Sequence, residues 1–219
     1  MLRILIIPLL LLSAITLSQE KNEWHIEFNG GAPYNIDLPL TIEQTGQPTL
    51  NLTAHFDSEP FVTPVYWVFR VAKWKNNKAW EFEMVHQKLY LQNPTPEIQY
   101  FSITHGFNTT FINRSFKTSL PVLDTCVFRI GTGVTLAHAE NMIRGKELDQ
   151  NGSFFDLGYY PTLPTINIAL TKEILLAEFF YLNLEIKHNI SYAHVPVVDG
   201  KAKLWHASFA LVAGGGIRF

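Results

Sequence analysis

The sequence predicts an all-β chain that closes as an antiparallel up-and-down transmembrane β-barrel, with ten strands favoured and eight as the alternative. Three observations lead there. Apolar and polar residues alternate with a period of two along nearly the whole chain, the period of a strand with one apolar face. No apolar run after residue 18 reaches the roughly 18 residues that a membrane helix needs. Charged residues make up 16% and apolar residues 47% of the 219 positions, a low charge content for a water-soluble domain. Strands can cross lipid only as a closed sheet, because an open edge leaves backbone groups unpaired.

The clearest strand is the last, residues 203–219. Trp205, Phe209, Leu211, Ala213, Ile217 and Phe219 fall on one parity, and His206, Ser208, Gly214, Gly216 and Arg218 on the other. Phe209 and Phe219 lie ten residues apart on the apolar face. At ~3.3 Å per residue and a tilt of about 40°, they stand roughly 25 Å apart along a membrane normal. That is the height of a barrel's apolar band, with an aromatic residue at each edge.

The earlier elements follow in order. Trp24, Ile26 and Phe28 alternate with His25, Glu27 and Asn29, then Gly30, Gly31, Ala32 and Pro33 interrupt. Tyr34, Ile36, Leu38, Leu40 and Ile42 resume the alternation, so residues 22–44 read as a hairpin or one long bent strand. Further alternating runs cover about 50–56, 65–72, 80–91, 101–108, 126–136, 166–171 and 180–190, with turn-like stretches between them. On the run at 101–108, Phe101, Ile103, His105 and Phe107 are assigned to the lipid face. The longest irregular stretch is about 139–161.

Composition removes several functions. The formal net charge is −2, which leaves no nucleic-acid footprint. Residues 1–18 have the form of a secretory signal peptide: Arg3, then an apolar core from Ile4 to Leu12, then Thr16 and Ser18 before the cut. Residues 19–219 are then a single barrel domain. Cys126 is the only cysteine, so no internal disulfide forms. The triplets beginning at Asn51, Asn108, Asn113, Asn151 and Asn189 fit accidental N-x-[ST] patterns on polar strand faces better than glycosylation. No metal-ligand spacing, phosphate loop or nucleophile elbow stands out, so no cofactor and no metal are expected.

If the apolar face meets lipid, the lumen face carries Arg70, Glu81, Glu83, Arg129, Glu185, Lys187 and Arg218. Both signs are present in similar number, as in a narrow interior filled by paired charges rather than a selective pore. Glu81 and Glu83 are too ordinary a spacing to read as a catalytic pair. On the run at 80–91, His86 and Lys88 continue the lipid parity near one end. With His105 on the neighbouring strand they form a possible contact for lipopolysaccharide phosphates. A β-bulge near Val85 would turn His86 and Lys88 inward instead.

Signal peptide, alternating strands and terminal Phe219 together resemble the small bacterial outer-membrane barrel class, which includes OmpA-like and OmpX-like barrels, the deacylase PagL and the palmitoyltransferase PagP. The runs W-E-F-E-M-V-H-Q-K-L-Y-L and F-S-I-T-H-G-F-N are similar to those of uncharacterised members. The resemblance implies a Gram-negative outer-membrane location, contact with membrane lipid and lipopolysaccharide, and a monomer. It also implies recognition of the last strand by the barrel assembly machinery, with Phe209, Ile217 and Phe219 as the signal. Members have an even strand count. Ten strands follow if residues 30–33 turn a hairpin, and eight if residues 22–44 lie outside the wall. With the last residue on the periplasmic side, the turns at 43–48, 75–78, 113–121 and 172–178 fall inside, and the loops at 57–64, 139–161 and 195–201 outside.

A structural, adhesive or narrow-passage role is the leading function. The first alternative is a lipid A-modifying enzyme. His206-Ala207-Ser208 matches the His-x-Ser of PagL-like enzymes, but no glutamate follows and both residues fall on the lumen face. The second is a secreted lipocalin-like barrel binding an apolar ligand, which requires reversed faces, apolar inside and polar outside. The barrel reading predicts that deleting Phe219 lowers the amount of protein recovered in the outer-membrane fraction of cells, while the purified variant still folds in detergent. Unchanged insertion in cells would contradict it.

Overall fold

The computed structural model describes residues 22–118, 123, 125–149 and 158–219. The signal-peptide assignment and the middle of the 139–161 stretch lie outside the described residues. β1 (Asn22–Asn35) and β2 (Leu38–Gln44) are two halves of one bent strand, both paired with β13 (Gly200–Arg218). β3 (Leu50–Ala54) and β4 (Phe56–Asp57) return, and after a loop β5 (Trp67–Lys75) follows. β6 (Lys78–His86) leads into the short β7 (Leu89–Leu91). The long strands β8 (Ile98–Lys117), β9 (Cys126–Ile143), β11 (Tyr160–Ala177) and β12 (Phe180–Val197) complete the sheet, and β10 (Lys146–Glu147) folds back on β9.

Among the described residues every strand pairing is antiparallel. Followed around, the sheet runs β1–β5–β6–β8–β9–β11–β12–β13 and returns to β1, a closed circuit of eight. Two features account for eight rather than the favoured ten. Residues 30–33 do not turn: β13 pairs straight through them, from Gly30↔Ala213 to Pro33↔Ala210. The runs at 50–57 and 67–75 belong to one wall position, because β2 pairs β3 and β4 pairs β7 at one level while β1 pairs β5 and β5 pairs β6 at the next. The first 23 described residues, 22–44, therefore lie in the wall, not outside it.

The two ends of the barrel differ. Trp24 and Phe219 exchange backbone hydrogen bonds of 2.8 and 3.0 Å, so both ends of the described chain meet at one mouth, the terminal mouth. The turns at 76–77 and 178–179 share it. The turn at 43–48 does not. The Thr45 N–H donates to the Asp199 carbonyl at 2.9 Å and the Arg144 guanidinium to the Pro48 carbonyl at 2.7 Å, which places that turn at the far mouth. The parity expectation failed there because residues 22–44 make one pass through the wall where a hairpin would make two.

Facing follows the alternation, but its polarity reverses along the barrel. On β12, Leu182, Leu184 and Ile186 point outward while Asn183, Glu185 and Lys187 are buried inside. Further along the same strand Ala193, Val195 and Val197 take the inward positions. No register break separates the two halves, since β12 pairs β13 without a shift from Phe180↔Ile217 to Val197↔Gly200. β9 repeats the change, from Arg129 inside to Ala137, Ala139 and Ile143 inside. The far half thus encloses an apolar core that includes Leu40, Ile42, Phe56, Leu89, Phe101 and Leu204. Phe101, Ile103 and Phe107 belong to that core and not to the lipid face. Alternation separates two faces, and only the fold says which is inside.

The outward apolar belt occupies the terminal half, on residues such as Phe28, Ile130, Ile168, Leu184 and Leu211. Arginine at Leu184 is predicted to cost about 2–4 kcal/mol, and arginine at His194, ten positions further along the same face, less than about 1 kcal/mol. Urea unfolding of the two variants in lipid vesicles checks this, and equal costs would remove the belt.

Candidate functional site

The terminal half of the lumen is filled by a charge layer. Arg70 on β5 and Arg129 on β9 lie side by side, surrounded by Glu27 of β1, Glu81 and Glu83 of β6 and Glu185 of β12. The Arg70 Nε donates to Glu83 at 2.8 Å, its Nη2 donates to both Glu185 oxygens at 2.9 Å, and its Nη1 pairs with Glu27. The Arg129 Nε donates to Glu81 at 2.9 Å and its Nη2 to Glu27 at 3.3 Å, while its Nη1 meets Thr171 of β11. The Lys187 Nζ donates to Glu83 at 2.6 Å and to the Asn167 side-chain oxygen at 2.8 Å.

Strand spacing explains the convergence. Residues two apart share a face, so Glu81 and Glu83, or Glu185 and Lys187, enter the lumen as neighbours. The fan of a guanidinium then reaches several carboxylates at once, which one ammonium could not. Three cations face four carboxylates, and hydroxyl and amide donors supply the rest. The Tyr181 hydroxyl donates to Glu27 at 3.0 Å and the Asn113 amide to Glu83 at 3.2 Å. Tyr181 fits only because position 216 is glycine: a Cβ there would lie 2.5 Å from the phenol ring and 2.9 Å from the Glu27 Cγ.

The layers on the two sides of the charges differ. Towards the terminal mouth Ala72, Trp74, Ala79 and Val127 are interleaved with His25, which with Glu173 comes within 4.8 Å of Glu27. Towards the far mouth lie Tyr66, Val68, Val85, Phe111, Ala210 and Val212. Beyond them a buried polar belt crosses the level where the wall is interrupted between β4 and β5. There Gln87 donates to Asn35 at 2.8 Å and to Ser58 at 3.0 Å, Asn35 donates to the Phe56 carbonyl at 3.0 Å, and a His206 ring nitrogen lies 3.0 Å from the Asn35 oxygen. Above it sits the far apolar core.

The structure brings six of the seven expected lumen residues together: Arg70, Glu81, Glu83, Arg129, Glu185 and Lys187. Arg218 lies apart, its Nε donating to the Glu178 carbonyl at 2.6 Å in the terminal-mouth turn. Glu27 joins the charge layer, a residue not among the expected seven although its parity on β1 puts it on the same face. His86, Lys88 and His105 do not form one exposed patch. His86 is covered, stacked on Trp67 at 5.8 Å and hydrogen-bonded to Asn108 at 2.6 Å. Lys88 is buried under the 58–66 loop, donating to the Val62 carbonyl at 2.8 Å. His105 stays exposed but turns to β9, where it meets Glu140 at 2.7 Å. Near it the Tyr90 phenol is held above its ordinary value, first by burial and then by Glu59 and Glu140. His206 and Ser208 of the His-x-Ser motif both point into the interior and are buried, away from any lipid face. Phe209 and Ile217 lie exposed on the outward face of β13, and Phe219 is exposed just past its end.

No family model matches the chain, and no curated protein matches it. Solved structures do. The outer membrane protein AlkL, determined in DMPC bilayers, aligns over 91% of this chain and 91% of its own at 12% identity and a TM-score of 0.50. The outer membrane protein OprG of Pseudomonas aeruginosa aligns over 91% of this chain and 97% of its own at 9% identity and a TM-score of 0.54. At such identities the likeness is one of fold.

The charge layer yields a stability prediction. Arg70→Met leaves three buried carboxylates short of a partner and is expected to cost about 3–5 kcal/mol, while Arg70→Met combined with Glu83→Gln recovers part of that loss. Arg218→Ala is expected to cost less than about 1 kcal/mol. Equilibrium unfolding in detergent measures all three, and equal effects of Arg70→Met and Arg218→Ala would refute the assignment.

Proposed function

We propose that this chain, which has the fold of small bacterial outer-membrane β-barrels, is an integral outer-membrane protein closed to water, with a structural or adhesive role at the cell surface. The terminal mouth faces the periplasm and the far mouth the outside. The observation that carries the reading is the charge layer. Arg70 and Arg129, with their carboxylates, span the lumen from β1 to β12 with no more than 1% of any of these side chains exposed. A layer of tightly paired, fully buried charges, with an apolar layer on its far side, leaves no open water-filled path for an ion. The far half supports the same reading, since its apolar core makes a rigid cap that holds the rim residues in place outside the lipid. The polar outward residues of that half, such as His105, Glu140 and Lys203, suit an aqueous surface. Phe209, Ile217 and Phe219, set along the last strand, suit recognition by the barrel assembly machinery.

A second reading, the narrow passage, rests on the interrupted wall. Between β4 and β5 the sheet is replaced by the 58–66 loop, and the gap is bridged by the Asn35, Ser58 and Gln87 side chains. An outward apolar groove of about 650 Å³, bordered by Gly30, Ala32, Phe61, Ile186, Leu211 and Ala213, lies alongside. A small apolar molecule leaving the far core sideways into lipid would use that route. The two readings share a prediction and differ in another. Purified protein in planar bilayers is expected to give no steady stepwise conductance, and stable ohmic steps would overturn the closed barrel. Uptake of a small apolar dye into vesicles, faster with the barrel than without and slowed by a Ser58→Cys to Gln87→Cys crosslink, would favour the passage over the structural role.

A further inference from the structure

We infer that His105, His138 and Glu140 form a binding site for a divalent transition-metal ion of the zinc type on the outward face of the far half. The site does not depend on whether the barrel is structural or a passage.

The backbone assembles it. β8 and β9 pair Ile103 with Ala139 and then Phe107 with Ala137, so residues 104–106 of β8 stand against His138 alone. That bulge is possible because position 106 is glycine at φ +134°, a conformation other residues rarely adopt. A bulge re-aims the side chains it carries. Here it directs His105 towards β9, where His138 and Glu140, two apart, share the outward face. One donor atom from each of the three residues lies within 4.8 Å of the other two. The His105 Nδ1 is 2.7 Å and the His138 Nε2 3.8 Å from the same Glu140 oxygen, Oε1. Ligands of a tetrahedral zinc with bonds of ~2.0–2.1 Å sit roughly 3.3 Å apart, so small side-chain rotations bring these three into range.

The surroundings behave as a supporting shell. The Thr104 hydroxyl donates to the other Glu140 oxygen, Oε2, at 2.7 Å, which orients the carboxylate with Oε1 towards the two imidazoles. The Tyr159 hydroxyl donates to the His105 carbonyl at 2.9 Å, and its ring meets the His138 ring edge-on at 5.1 Å, fixing both histidines. Two imidazoles and one carboxylate suit zinc, copper or nickel, whereas calcium and magnesium take oxygen ligands. The His105 side chain is 66% exposed, which leaves a fourth position open to water or to a ligand from outside.

The test uses the full mature barrel in detergent without a histidine tag. Zinc is titrated in competition with a chromophoric chelator. The expected result is one equivalent bound per barrel, with binding weakened about tenfold or more by His138→Ala or Glu140→Gln and less by Thr104→Val. His55→Ala, distant from the cluster, is expected to bind as the parent does. Cobalt in place of zinc is expected to show the intense visible absorption of a four-coordinate site, lost in His138→Ala. Circular dichroism of each variant confirms that it is folded. Equal zinc binding by the parent and by folded His138→Ala, or no binding by the parent, would overturn the site and leave the cluster as an ordinary His105–Glu140 ion pair.

Discussion

The rest of the structure depends on burying Arg70 and Arg129 inside a narrow sheet. Two guanidiniums in such a space are tolerable only if carboxylates meet them on nearly every side. The ligands come from β1, β6 and β12, with Thr171 of β11 and Asn113 of β8 completing the shell. Most strands of the circuit are thereby tied to one centre. A slip of one residue in any of them would turn its charge to the outside and an apolar side chain into the layer. The network therefore fixes register as much as it adds stability. β13 takes part by leaving room, since Gly216 lets Tyr181 lie against Glu27.

Above the charge layer the same strands change their interior without changing their register. β12 places Glu185 and Lys187 inside at one level and Val195 and Val197 inside at another. Outside, Leu184 and Ile186 give way to Tyr192 and His194. The barrel is thus polar inside and apolar outside where the outward belt lies, and apolar inside with a more polar exterior beyond it. The far half resembles the inside-out pattern expected of a water-exposed barrel, and the terminal half that of a membrane barrel. The buried belt of Asn35, Ser58, Gln87 and His206 lies where the two interiors meet, at the level of the wall interruption.

Much of this was legible in the sequence. Leu182, Leu184 and Ile186 against Asn183, Glu185 and Lys187 could be read from alternation alone, and six of the charge-layer residues followed from it. What failed had physical reasons. Gly30, Gly31 and Pro33 have turn composition, yet β13 pairs through them, because strand pairing along the neighbour overrides local preference. The 58–66 loop has the composition of a hairpin connection, so the two runs of one wall position read as two strands in the sequence. Phe101 and Phe107 lie inside, and alternation alone defines two rows without saying which of them is inward. The His105, His138 and Glu140 cluster was invisible because its members come from two strands, and only a bulge and a pairing register join them.

The central claim is that the charge layer is dry and ordered. The most direct measurement is solvent exchange of the arginine Nε protons by NMR in lipid nanodiscs. Slow exchange is expected for Arg70 and Arg129, whose Nε donate to Glu83 and Glu81, and faster exchange for Arg144 in the far-mouth turn, which bonds there through its terminal nitrogens. Exchange of Arg70 and Arg129 at the same rate as Arg144 would mean that water enters the lumen, and would contradict the closed barrel.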